Sequence, residues 1–243
     1  MTSLRFTVRD VYLGMCWRAE ASEEVSKQLL LLYEFPISSF SCKTRIILDH
    51  KGVEWVSVPP PDGYGSDAYR AIIPAGTIPA IDQDGFRLAD SEAIAEYVNE
   101  TVADPPMLPV DARMRARARE ISRFHDSRLE PLLRGCFGHV APQARDMNVV
   151  ANHFDLFEQR LTHLARMVNP SPLLFGDQLT IADCGFVPSF VLMHKLSDVF
   201  DLQLTIPQAL ADYETALTAH PSVLAHSVAY DTTVDAWIAS KFC

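Results

Sequence analysis

The chain has 243 residues, 48% of them apolar and 21% charged, with a formal net charge of −10 at pH 7. That balance belongs to a folded globular protein and excludes a disordered, collagen-like or disulfide-stapled chain. The acidic excess has the wrong sign for a phosphate backbone, so nucleic acid is not expected as the main partner. No apolar run approaches the ~20 residues of a membrane span.

The five cysteines, Cys16, Cys42, Cys136, Cys184 and Cys243, are odd in number and scattered, with no CxxC pair. Neither a disulfide framework nor a zinc or other metal site is expected, and a reducing cytoplasm fits best. In residues 1–28, Arg5, Arg9 and Asp10 interrupt the apolar core that a secretory signal needs. This stretch is read as an N-terminal extension.

Leu29 to Phe35 is a short continuous apolar run, as in a strand buried on both faces. Pro36 ends it. A helix is expected from Ser39 to His50-Lys51, with Gly52 at its C′ position, and a second strand over Val53–Val58 closes a βαβ unit. Pro59 to Gly65 reads as a loop, and Ser66 to Ile73 as a short helix. Ile78–Ile81 and Phe86–Leu88 flank the turn Asp82-Gln83-Asp84-Gly85. Asp90 can N-cap a further helix ending near Val102.

Asp104-Pro105-Pro106-Met107-Leu108-Pro109 is a stiff linker. The expected division is 1–28 extension, 29–103 mixed α+β, 104–110 linker and 111–243 all-α. One long helix is expected from Asp111 to about Val140, kinked at Pro131, and another over Arg145–Met167. Thr180 and Asp183 have capping-box spacing. Helices are also expected over Ile206–Ala219 and Ser222–Tyr230.

Four stretches resemble the glutathione transferase superfamily, in family order, within roughly Leu29 to Tyr230. Ser38-Ser39-Phe40-Ser41-Cys42-Lys43-Thr44-Arg45-Ile46 is similar to the zeta-class stretch Ser-Ser-Cys-x-x-Arg-Val-Arg-Ile, whose first serine activates glutathione. Thr77-Ile78-Pro79-Ala80 resembles the family's x-Val/Ile-Pro-x turn, where the proline is cis. Asp90-Ser91-Glu92-Ala93-Ile94 resembles the acidic-or-Gln plus Ser pair that opens the third helix. Gly176 to Asp183 resembles the buried capping motif of the helical domain.

The resemblance implies a thioredoxin-like N-terminal domain followed by a helical bundle that forms the acceptor pocket. It also implies glutathione as co-substrate and a two-fold homodimer lined by the arginine-rich helix. The implied catalytic group is Ser38. Ser39, Phe40, Ile78, Pro79, Asp90 and Ser91 are the implied glutathione-binding residues. Leu129-Glu130-Pro131-Leu132 resembles the zeta-class Ile-Gln-Pro-Leu segment, which places Arg128 and Glu130 beside the acceptor pocket.

The chemistry agrees with that assignment. A free thiol with a pKa near 8.5 is only a few per cent thiolate at pH 7, and the thiolate is the nucleophile. Ser38 lies between a strand end and a helix N-terminus, where N–H groups and positive partial charge are unpaired. A hydroxyl donating to a thiolate contributes roughly 1.5–3 kcal/mol, about one to two pKa units. Capping the helix is the plain alternative for both Ser38 and Ser39, and either serine can be the activating one.

The leading expectation is conjugation of glutathione to a small electrophile. The alternatives are a zeta-like isomerase or dehalogenase, or a glutathione-binding scaffold without turnover. Zeta-like isomerases carry Cys where this chain has Phe40. Thiol transfer of the omega type needs a cysteine at position 38, where this chain has Ser. Cys42 is expected one turn along the first helix, Cys184 buried and Cys243 the most exposed. His125 and Asp126 are expected to diverge as helical neighbours.

Overall fold

The structure, a computed structural model, describes residues 29–242. The expected N-terminal extension, Cys16 and Cys243 lie outside them.

Strand β1 (Leu30–Tyr33) is followed by helix α1 (Ser39–His50), strand β2 (Trp55–Val58), the short helix α2 (Asp67–Arg70), strands β3 (Ala80–Gln83) and β4 (Phe86–Ala89), and helix α3 (Ser91–Thr101). The sheet order is β2-β1-β3-β4. β1 pairs parallel with β2, Leu32 opposite Ser57, and antiparallel with β3, Leu32 opposite Ile81. Alternation along β1 divides the packing. Leu30 and Leu32 join Ile46, Ile47 and Ile94 on the α1/α3 side. Tyr33 packs on the other side with Tyr69 of α2, ring centroids 5.5 Å apart. This is a thioredoxin-like unit.

The rest is helical. It comprises α4 (Ala112–Phe124), a π-helical turn over His125–Leu129, α5 (Glu130–Arg134), α6 (Met147–Met167), α7 (Ile181–Cys184), α8 (Phe186–Phe200), α9 (Gln208–Thr218) and α10 (Pro221–Ala239). The core of the first unit continues without a break into this bundle, through Ala118, Ile121, Phe186 and Tyr230.

Two expectations change. The helix expected from Asp111 to about Val140 ends at Arg134, and two 3-10 turns follow. Pro131 cannot donate back to the preceding turn and its ring crowds that turn's carbonyl; the ladder widens just before it into the π turn. The last helix runs nine residues past Tyr230, to Ala239. Thr232 and Thr233 are poor helix formers, but their hydroxyls bond back to Val228 O and Ala229 O. Beyond them Val234 is buried and Trp237 packs on Phe137.

Asp183 ties the bundle together. Its carboxylate accepts from Thr180 N, Thr180 Oγ1, Leu174 N and Tyr213 Oη at 2.7–3.2 Å. Burial nevertheless pushes its pKa up.

Candidate functional site

Ser38 is the N-cap of α1, with extended backbone (φ −72, ψ 121), and its Oγ accepts from Ser41 N at 3.2 Å. Accepting that bond leaves the hydroxyl proton free to donate elsewhere. Capping and donation to a thiolate are therefore compatible at Ser38. Ser39 is buried, and its Oγ donates to Glu130 Oε1 at 2.8 Å. Its proton is already committed.

Ser38 opens into a cleft of about 680 Å³, the size of a small-molecule site. Ser39, Phe40, Ile78, Pro79, Asp90 and Ser91 line it too, so every residue singled out for glutathione meets here. The Ile78–Pro79 bond is cis, and Ile78 lies just beyond the first paired residue of β3. Asp90 caps α3 through Oδ1, which accepts from Glu92 N and Ala93 N at 2.9 and 3.2 Å. Its φ of +83 is unfavourable for a residue with a Cβ.

The helical part supplies Arg123, Asp126, Ser127, Arg134 and Phe137 to the opposite wall, with Phe35, Ile37 and Tyr64 completing an apolar end. Arg128 and Glu130 do not line it. Arg128 is exposed. Glu130 is fully buried, its two oxygens held by Arg134 Nε at 3.1 Å and one of them by Ser39. Arg134, one turn further along, is the side chain that reaches the cleft. The segment was readable from sequence, but the face it presents depends on the π turn, which shifts helical phase.

His125 and Asp126 do not diverge. His125 Nδ1 meets Asp126 Oδ1 at 2.7 Å and its Nε2 meets Ser189 Oγ at 2.8 Å. The second Asp126 oxygen accepts from Lys43 Nζ at 2.8 Å, and Lys43 also donates to Glu92 at 2.6 Å and Ser122 at 3.1 Å. Lys43 is completely buried. Burial alone would lower its pKa, but the charges of Asp126 and Glu92 outweigh it and the value rises. Burial likewise works to raise Asp126, yet the His125 hydrogen bond and the Lys43 charge bring it down to about 2. Helices α1, α3 and α4 and the π turn are thereby tied together at the cleft wall, which Asp126 itself lines. No local signal marks this cluster, because Lys43, Glu92 and Asp126 come from three separate helical segments.

A second hollow, of about 640 Å³, runs along α6 between Asp155 and Arg166. All of its lining comes from one helix, so nothing faces it to enclose a ligand.

A strand-end serine, a cis-proline turn and a capped Asp-Ser pair thus line one cleft between a thioredoxin-like unit and a helical bundle, the arrangement that the resemblance to glutathione transferases implies. The family model "Glutathione S-transferase, N-terminal domain" matches residues 32–106. A probable maleylacetoacetate isomerase of Caenorhabditis elegans is 30% identical over 214 residues, covering 81% of this chain and 95% of that protein. A maleylpyruvate isomerase of Ralstonia sp is 33% identical over 172 residues, 65% of this chain and 79% of that one. The chain belongs to the glutathione S-transferase family. The fold is also that of the Tau class transferase of mango, with a TM-score of 0.71 at 19% identity, covering 86% of this chain and 98% of that one. The theta class transferase of Xanthomonas axonopodis pv. citri, with glutathione bound, gives 0.69 at 20% identity, covering 82% and 97%.

Proposed function

We propose that the chain is a glutathione transferase in which Ser38 activates the thiol for attack on a small, largely apolar electrophile. The observation that carries this reading is the uncommitted Ser38 hydroxyl proton at the N-terminus of α1, beside Ile78, Asp90 and Ser91 in one cleft. The backbone of Ile78 can pair with the cysteinyl unit in antiparallel fashion. The Ser91 hydroxyl and the first N–H groups of α3 suit the γ-glutamyl carboxylate. The second Asp90 oxygen suits its ammonium.

In the same reading, residues 29–103 hold glutathione, 104–110 link, and 111–243 form the acceptor side. The protein works in the cytoplasm as a two-fold homodimer, in a detoxifying role. The test is retention on immobilised glutathione together with turnover of an aryl halide; retention without turnover across aryl halides, maleyl compounds, epoxides and disulfides would favour a binding protein instead.

A second reading, a glutathione-dependent isomerase, is favoured by the names of the relatives from Caenorhabditis elegans and Ralstonia sp. Cis–trans conversion of a maleyl compound without net consumption of glutathione distinguishes it from conjugation.

A further inference from the structure

We infer that Tyr230 is a positioning residue for thiol activation: its hydroxyl holds the peptide that carries Ser38, and so sets the direction in which the Ser38 hydroxyl donates. The inference rests on Ser38 being the activating group and deepens that reading by adding a residue of the last helix to it.

Tyr230 is 1% exposed and stands behind the cleft. Its Oη donates to Ile37 O at 2.9 Å, across 193 positions of sequence. The carbonyl of Ile37 and the N–H of Ser38 belong to one planar peptide unit. That N–H donates to Phe35 O at 3.0 Å. Both polar atoms of the unit are therefore held, one by the loop itself and one by Tyr230. On the other side of Ser38, its own carbonyl accepts from Cys42 N at 2.9 Å. Pro36 O accepts from Arg45 Nη2 at 3.3 Å, and Arg45 also pairs with Glu34. Every carbonyl from Phe35 to Ser38 is thus engaged, and of these four bonds only the one from Tyr230 comes from the helical part of the molecule.

With the peptides on both sides of Ser38 fixed, and its Oγ accepting from Ser41 N at 3.2 Å, the direction of the remaining hydroxyl proton is set before glutathione arrives. Freeing Ile37 O lets its peptide plane turn, and the φ of Ser38 turns with it. A misplacement of about 1 Å is enough to weaken a directed donor severely.

Tyr230 is itself firmly placed, because α10 runs back along α1. Eight residues before Tyr230, about 12 Å along the helix, Ser222 Oγ meets His50 Nδ1 at 2.9 Å. His226 Nε2 pairs with Asp49 Oδ2 at 3.0 Å. Helix α10 therefore spans α1 from its last turn to the residue before its cap. Burial pushes the Tyr230 pKa well above the usual tyrosine value, so the hydroxyl remains a donor wherever the thiol titrates. The plain alternative is that a buried phenol has merely found an acceptor; its loss would then cost stability and leave the thiol alone.

The test is the thiolate absorbance titration of bound glutathione in Tyr230→Phe, which removes only the hydroxyl. The thiol pKa should rise by about 0.5–1 unit, less than in Ser38→Ala, with glutathione affinity changed by less than about threefold. In a Ser38→Ala background the same substitution should add nothing, because its route through Ser38 is gone. Val234→Ala, one turn further along α10, should lower the urea midpoint and leave the thiol pKa unchanged. 4-Fluorophenylalanine in place of Tyr230 fills the space of the hydroxyl without a donor. It should reproduce the rise, and it decides the question if Tyr230→Phe does not fold. A thiol pKa that stays at the value of the unaltered protein when the donor is removed overturns the proposal while leaving Ser38 as the activating group. An equal rise in the Ser38→Ala background or in Val234→Ala does the same. If the unaltered protein binds no glutathione, or Ser38→Ala leaves the thiol unchanged, the reading of Ser38 falls and this inference with it.

Discussion

Ser39 Oγ donates to Glu130 Oε1 at 2.8 Å, joining the first turn of α1 to the first turn of α5 across 91 positions of sequence. That contact separates two adjacent serines of identical chemistry. Ser39 has spent its proton on holding α5, whereas Ser38 accepts from Ser41 N and keeps its own.

Ser38→Ala should therefore raise the pKa of bound glutathione by about one to two units. Removing the cap should also cost about 1 kcal/mol of stability. Ser39→Ala should do the reverse: leave the thiol unchanged and destabilise the fold by about 1–3 kcal/mol, because a buried carboxylate loses a donor. Thiolate absorbance titrations paired with urea unfolding check both. A thiol pKa that moves with Ser39 and not with Ser38 would reassign the activating group.

Lys43 sits wholly buried between Glu92 and Asp126. Lys43→Met fills the volume but leaves two carboxylates facing each other without a cation. Breaking a buried pair from one side costs about 3–5 kcal/mol, so the urea midpoint should drop sharply. Replacing Glu92 by Gln in the same chain should recover part of that loss. A Lys43→Met protein as stable as the unaltered one would show that the ionic cluster contributes nothing to the fold.

The contrast between α1 and the π turn explains what could be read in advance. The limits of α1 follow from local chemistry: Pro36 before it, Ser38 capping it and Gly52, at φ +65, after it. Ser38, Ile78, Pro79, Asp90 and Ser91 stand at strand ends and helix starts, where position and role are both local. Arg134 is different. Its direction is set by an extra residue in the turn before Pro131, and a one-residue change of phase rotates a side chain by about 100°. Lys43 is the same kind of case, since its partners lie 49 and 83 positions away. The length of α10 is not legible locally: Thr232 and Thr233 are poor helix formers, and tertiary packing of Val234 and Trp237 carries the helix past them.

The thiols of the described residues should be inert in the native state. Burial pushes Cys42 and Cys136 up to about 11, and Cys184 well above the usual range. A thiolate is the reactive form, so a maleimide or iodoacetamide should label none of the three until the chain unfolds, with Cys184 last. Peptide mapping by mass spectrometry reads this directly. Cys42→Ala should retain most glutathione-dependent turnover. Rapid native labelling of Cys42, or its mixed disulfide with glutathione, would restore thiol transfer as the chemistry.

Acid stability should carry a signature of Asp126. Its carboxyl is held at about 2 when folded, below the ordinary aspartate value of about 4, so the folded state favours the ionised form. The stabilisation, about 2 kcal/mol, is fully present above the unfolded pKa. It is lost as the pH falls from about 4 towards 2, where the folded protein also takes up the proton. Asp183 has the opposite sign: burial raises its pKa, so its linkage favours the fold at low pH and fades as the pH rises through the folded value. The two partly offset each other in the unaltered chain, and only a difference measurement isolates one of them. Asp126→Asn removes the first titration and leaves the second. Its urea midpoints should lie below those of the unaltered protein at pH 6, and the gap should narrow steadily as the pH is lowered below 4. A gap of constant size over that range would mean that Asp126 titrates alike in the folded and unfolded states, and that the Lys43–Asp126–His125 contacts do not hold its charge.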